Sequence, residues 1–228
     1  MKKAVKIILI IVGIIFLLFA VLVGIEVVKQ QKLDKIVSEL NNQDEIDMTI
    51  KMKGSYGIIE KMIKNDYKRI YDLADKILTE YDNPIIEKCL SVDTYRNDGP
   101  DFLNTRKELN ELKENRKKIT DQMLESVSDK EANKRVKEYK LDEFDAELYL
   151  KYVGQLKIYV DEAIDEDKKL DDVLDSIIAV LDFLGENKDG WKVEEEFILF
   201  NNQDLLDKYN WLLDKIDVNT NDDEIPTA

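Results

Sequence analysis

The chain of 228 residues contains no histidine, one cysteine, three prolines and eight glycines. Histidine is the side chain that titrates near neutrality, the usual base beside a nucleophile and the commonest metal ligand. Its absence excludes Ser-His-Asp and Cys-His catalysis, His-ligated zinc and any HExxH site. With Cys89 alone, neither an internal disulfide nor four-thiolate zinc can form. The eight glycines compose no GxGxxG, GxxxxGK[ST] or GxSxG motif, which removes the signatures of dinucleotide, P-loop and serine-hydrolase sites. Positive charge is also short: 34 Lys+Arg face 49 Asp+Glu, for a net charge of −15. A nucleic-acid partner requires a basic footprint, so none is expected.

One long hydrophobic run is present. Met1-Lys2-Lys3-Ala4-Val5-Lys6 leads into 19 uninterrupted apolar residues, Ile7 to Ile25. At about 1.5 Å per residue the run spans roughly 28 Å, close to the ~30 Å of bilayer hydrocarbon. Backbone groups inside lipid must satisfy one another, so the run is expected to be helical despite its β-branched residues. A cleaved signal peptide is the alternative reading. It is opposed by a run longer than the usual ~7–15-residue apolar region and by the lack of an A-x-A-like site. The lipid bilayer is therefore an expected partner through residues 7–28. Lys2, Lys3 and Lys6 precede the span and Lys29, Lys32 and Lys35 follow it. The first three are denser and have no acidic neighbours, which favours a cytoplasmic tail at 1–6 and an extracytoplasmic remainder; the cytoplasmic side is the alternative. Ala20 and Gly24 have the small-xxx-small spacing of close helix packing, a spacing that also arises by chance.

The remainder carries a net −17, because residues 1–28 hold three lysines and one glutamate. Its apolar content is low for a globular domain, so narrow apolar stripes and a helical bundle are expected. Leu33, Ile36, Val37 and Leu40 continue the span as a helical stalk over 29–45. An acidic helical bundle follows over 46–218 and a disordered polar tail over 219–228. Within the bundle one stripe runs through Ile58, Ile59, Met62, Ile63, Ile70, Ala74, Ile77, Leu78 and Tyr81. Asn83-Pro84 ends it, since the residue before proline is pushed out of the helical region. Leu109, Leu112, Ile119, Met123 and Val127 mark a sparser helix. Phe144, Leu148, Tyr152, Leu156, Val160 and Ile164 form another stripe around Gly154. Leu170 through Leu184 form the clearest, with a left-handed cap expected at Gly185. Leu205 to Ile216 give the last helix, capped by Asn201 or Asn202.

Two segments depart from the helical period. Ile46, Met48, Ile50 and Met52 alternate with polar residues as a strand does. Trp191-Lys192-Val193 and Phe197-Ile198-Leu199-Phe200 flank Glu194-Glu195-Glu196 as a hairpin would. One small sheet containing both is expected, with irregular loops as the alternative. Charge is also uneven: residues 104–140 hold 11 basic against 8 acidic, and residues 141–185 hold 4 against 13. These stretches read as solvated helix faces, as opposed faces of an antiparallel hairpin, or as an acidic surface for a basic partner.

No catalytic, cofactor-binding or metal-ligating residue is assigned. Gly185-Glu186-Asn187-Lys188-Asp189-Gly190 with Glu196 has the sixth-place glycine and twelfth-place glutamate of a calcium loop. It lacks the first aspartate, and a helix end followed by a turn explains the same residues. Asp161, Glu162, Asp165, Glu166 and Asp167 are dense enough for paired-carboxylate chemistry, but 49 acids produce such clusters without function. Gly54-Ser55-Tyr56-Gly57 reads as a helix start rather than an RNA-clamping GxxG loop. Cys89 reads as a small buried hydrophobe.

The lysine-start anchor, the stretch Ile50-Lys51-Met52-Lys53-Gly54-Ser55-Tyr56-Gly57-Ile58-Ile59-Glu60-Lys61 and the late Trp191…Tyr209-Asn210 segment resemble uncharacterised membrane-anchored helical proteins of Gram-positive bacteria. The resemblance implies the architecture and no active residue. The expected function is therefore that of a single-pass membrane protein with an extracytoplasmic helical interaction or scaffold domain that engages a protein partner. A membrane-tethered immunity or inhibitor protein is the alternative, and a carboxylate-dependent envelope hydrolase a more distant one.

Overall fold

A computed structural model describes residues 26–40 and 46–221, and side chains as far as residue 216. The chain is mainly helical. Helix α1 covers residues 26–40, followed by α2 (Ser55–Tyr81), α3 (Pro84–Lys88), α4 (Val92–Asp98), α5 (Leu103–Ser126), α6 (Asp129–Tyr139) and α7 (Glu143–Glu186). A hairpin of β1 (Trp191–Glu194) and β2 (Phe197–Phe200) precedes α8 (Gln203–Asn221). Among the described residues no helix is long and apolar enough to cross a membrane. Most of the span assigned to 7–28 lies outside the described residues, as does the end of the tail at 219–228.

The chain groups into two compact units, where the sequence suggests one bundle. The first takes residues up to Arg69 together with Asp129–Gly154; the second takes Ile70–Ser128 and the chain from Gln155 onwards. Helices α2 and α7 each contribute to both.

In the first unit, α1 buries Leu33, Ile36, Val37 and Leu40. The stretch expected as a stalk is thus part of a core, and Asp34 on it accepts a 2.7 Å bond from the Tyr152 hydroxyl. Residues 46–53 form no strand and join no sheet. Their backbone is held by α2 instead. The Lys51 and Met52 amides donate to the Glu60 carboxylate at 2.8–3.0 Å, and the Lys64 ammonium donates to the Thr49 carbonyl at 2.7 Å. Glu60 and Lys64, one helical turn apart, pair at 2.9 Å with both side chains sealed from water. The alternating apolar residues make no buried strand face, since Met48 and Ile50 are exposed and α2 side chains bond the backbone instead. Gly57 allows this approach, because a Cβ there would stand 2.7 Å from the Met52 carbonyl oxygen. Gly54, with φ +65°, supplies the left-handed turn into α2.

The expected α2 stripe is right for Ile59, Met62, Ile63 and Ile77, which are buried. Ile58, Leu78 and Tyr81 are exposed, and Tyr56, Tyr67 and Leu73 are buried instead. The helix passes from the first unit to the second after Arg69, and its buried positions do not follow one straight stripe.

The second unit packs Cys89, Tyr95, Phe102, Leu109 and Leu112 against Leu174, Ile177, Leu181 and Leu184 of α7 and Tyr209 and Leu212 of α8. The stripes around Gly154 and Leu170–Leu184 are one continuous 44-residue helix, not two. Gly154 sits in open space inside it. Gly185 is not a left-handed cap; α7 continues through it, and a Cβ there would crowd the Pro100 carbonyl oxygen at 3.2 Å. Residues 104–140 and 141–185 do meet in part: Arg106 bonds Asp182, Lys113 bonds Asp175 and Arg116 bonds Asp167. Numbers rise on α5 as they fall on α7, so the two run antiparallel. The hairpin forms as expected, with Val193 opposite Ile198 and Glu194 opposite Phe197, leaving Glu195-Glu196 as its turn. Trp191 anchors it, donating its indole N–H to the Leu184 carbonyl at 2.8 Å and stacking on Phe102. Asn202, rather than Asn201, caps α8 by accepting from the Leu205 amide.

Removing one member of a sealed ion pair strands the other charge, which costs about 3–5 kcal/mol. Glu60→Ala is therefore expected to lower stability by about 3 kcal/mol or more in urea denaturation. The double variant Glu60→Gln/Lys64→Met should recover part of that loss. Amide hydrogen exchange at Lys51 and Met52 should accelerate in both.

Candidate functional site: a charged cleft and an aromatic groove

The residues singled out from sequence do not converge. In the acidic patch, Asp167 turns inward to Arg116, while Asp165 and Glu166 pair on the surface with Lys168 and Lys169. No cluster of metal-ligating side chains occurs among the described residues. The Gly185–Gly190 stretch closes as a turn, with the Gly190 amide bonding the Asn187 carbonyl at 2.7 Å. Glu196 lies exposed in the hairpin turn. Gly54–Gly57 opens α2, as expected. Cys89 is fully buried; burial pushes its thiol up to about 11, so it is held as an unreactive thiol.

The structure brings together polar residues that form no sequence motif. In the first unit a polar cleft of about 220 Å³ has Met62, Asp66 and Arg135 at its base. Tyr149 donates its hydroxyl proton to Asp66 at 2.5 Å and accepts from the Arg135 Nε at 2.7 Å. The second Asp66 oxygen receives no hydrogen bond, although Arg135 stands 3.4 Å away and Arg69 3.8 Å away. Burial raises the Asp66 carboxyl above its ordinary value of 3.8, outweighing the Tyr149 bond and the two guanidinium groups. Burial likewise raises Tyr149, reinforced by the Asp66 charge beside it. Arg69, Lys134 and Glu138 stand exposed around the opening. A compact cleft of balanced charge has room for a few waters or a small polar molecule, and is below the ~300–1,000 Å³ of drug-sized sites.

In the second unit a larger, open groove of about 670 Å³ lies between α7 and α8. Asp172, Asp175, Ser176 and Ala179 line it from α7; Trp211, Leu212, Asp214 and Lys215 line it from α8. Trp211 is 46% exposed. The ammonium groups of Lys208 and Lys215 lie 3.7 and 4.0 Å from its ring centroid, close enough for cation–π attraction. Asp175 is answered by Lys113. Asp172 and Asp214 are in no ion pair with any described side chain, and both are exposed.

Two features of the sequence mark these sites. Asp66 sits one turn from Met62 and Ile63 on an apolar face. A charged residue on an apolar face demands a buried partner. Trp211 follows Leu205, Leu206 and Tyr209 but falls off their face, and an exposed tryptophan is a common binding residue. Comparison with protein-family models, curated proteins and solved structures gave no match.

The raised Asp66 carboxyl fixes the sign of its pH effect. The folded chain holds a proton that the unfolded chain has released, so this contribution to stability falls as pH rises from about 3.8 through the raised value. Relative to Asp66→Asn, the native chain should therefore lose stability over that window. Urea midpoints of the two chains, measured at a series of pH values, should diverge with that sign; a constant difference would refute it.

Proposed function

We propose that the chain is a single-pass membrane protein, anchored by residues 7–28, that presents its acidic helical units as an interaction domain on the extracytoplasmic side. The observation that carries the proposal is the 19-residue apolar run behind Lys2, Lys3 and Lys6. Three further features support it. The residues after the anchor carry a net −17, which repels anionic surfaces and attracts basic partners. The second unit exposes an aromatic groove of a size suited to a side-chain cluster. The resemblance of the chain's layout to uncharacterised membrane-anchored helical proteins of Gram-positive bacteria is in keeping with it.

Cys89 makes the test clean, because its thiol is buried and stays silent toward polar reagents. A thiol introduced at Thr227 should react with a membrane-impermeant maleimide on intact cells, and the chain should remain in the membrane fraction after alkaline carbonate washing. Labelling only after lysis would place the units on the cytoplasmic side. A chain released by carbonate, or shortened at its amino terminus, would remove the anchor.

A further inference from the structure

We infer that the groove between α7 and α8 is a docking surface for a cationic amphipathic helix of a partner protein. The inference rests on reading the domain as an interaction module, and not on the anchor. From Asp172 to Ala179 the groove follows about 10 Å of helix axis, the length of two helical turns. Its floor is apolar at Ala179 and Leu212, and Trp211 stands half-exposed beside them. Aromatic residues of this kind, set in a concavity, dominate binding energy in most interfaces. Asp172 on one wall and Asp214 on the other have no cationic partner among the described residues, so they are free to receive Lys or Arg side chains. Lys208 and Lys215 of the chain itself lie over the Trp211 ring, so a docking helix displaces these flexible side chains to reach it and draws its charge attraction from Asp172 and Asp214.

A helix with leucines on one face and lysines along its flanks meets each of these groups. Its apolar face covers Trp211 and Leu212, and its flanking charges reach Asp172 and Asp214. The chain's own last residues do not fit the same description, because Asp222, Asp223 and Glu224 would bring negative charge to negative charge. The net −15 of the chain adds long-range attraction for a basic partner and makes the association sensitive to salt.

The test uses the full chain in nanodiscs of neutral phosphatidylcholine, with empty discs as the blank. The probe is a short Leu/Lys amphipathic peptide, followed by calorimetric titration and by tryptophan emission. Trp211 should move to shorter wavelength on binding, as its exposed ring leaves water. Asp172→Asn/Asp214→Asn should weaken binding about tenfold, the equivalent of roughly 1.4 kcal/mol. Asp161→Asn/Glu162→Gln, the same charge change elsewhere on α7, should weaken it less than twofold. Trp211→Ala should weaken it about tenfold or more. Raising salt from about 50 to about 500 mM should weaken it severalfold. All four substituted acids are exposed, so the variants fold. Equal weakening by both acid pairs would show attraction to the net charge alone and overturn the docking surface. Binding of a Leu/Glu peptide, or no binding of the Leu/Lys peptide, would overturn it as well. Should the anchor test fail, the same titrations are made on the full chain in solution without discs, and their outcomes carry the same meaning.

Discussion

Arg116 lies on the buried face of α5 with its side chain sealed from water, and the second unit is arranged to answer its charge. Moving a guanidinium into a protein interior is strongly unfavourable unless carboxylates and hydrogen bonds replace the lost water. Asp167 supplies both a carboxylate and a carbonyl, Asp171 adds a second carboxylate at 3.2 Å, and the Tyr81 ring covers the guanidinium from 5.3 Å. These partners come from α7 and from the end of α2, so one charge draws three helices together. The same contact fixes the direction of α5 against α7. Arg106–Asp182 and Lys113–Asp175 then fall into place along the same antiparallel register, as more exposed pairs that each contribute little by themselves.

The first unit follows the same logic with a different pair. Glu60 and Lys64 are both sealed, and the carboxylate does two further jobs by accepting from the Lys51 and Met52 amides. Burial alone would raise the Glu60 carboxyl, yet these bonds and the Lys64 charge outweigh it and leave the group below its ordinary range. The carboxylate therefore stays ionised while buried, and it holds residues 49–52 without any partner strand. Asp66 is the contrasting case. It receives one hydroxyl donor, its second oxygen receives none, and burial prevails, so its carboxyl shifts upward. Asp66 lies among more protein atoms and receives fewer donors than Glu60, and both differences push its carboxyl upward.

Helix positions were legible in the sequence wherever the apolar stripe was dense, as at Leu170–Leu184 and Leu205–Ile216. The hairpin was legible too, because Trp191 and Phe197–Phe200 bracket a short acidic turn. The 46–52 segment misled, because its alternating apolar residues are largely exposed and its backbone is satisfied by Glu60 and Lys64 rather than by a strand. The two α7 stripes join in one helix because Asp165, Glu166, Lys168 and Lys169 pair with one another on the solvent side while Asp167 turns inward to Arg116. The division into two units was not legible at all. It depends on long-range pairings such as Tyr149 with Asp66 and Tyr95 with Tyr209, which no local period encodes.

Low apolar content explains why polar pairs carry so much of the specificity. Narrow stripes of leucine and isoleucine bind helices together but leave their register and direction weakly chosen. Charges placed on those stripes add a penalty for every wrong register, because a misplaced Arg116 or Glu60 would be buried without its partners. Asp172 and Asp214 are governed by the reverse condition. They are exposed, and no described side chain pairs with them. Acids on core-facing positions thus help define the fold, while the acids beside Trp211 take no part in it. The distinction between the two sets is burial, since the side chains themselves are the same.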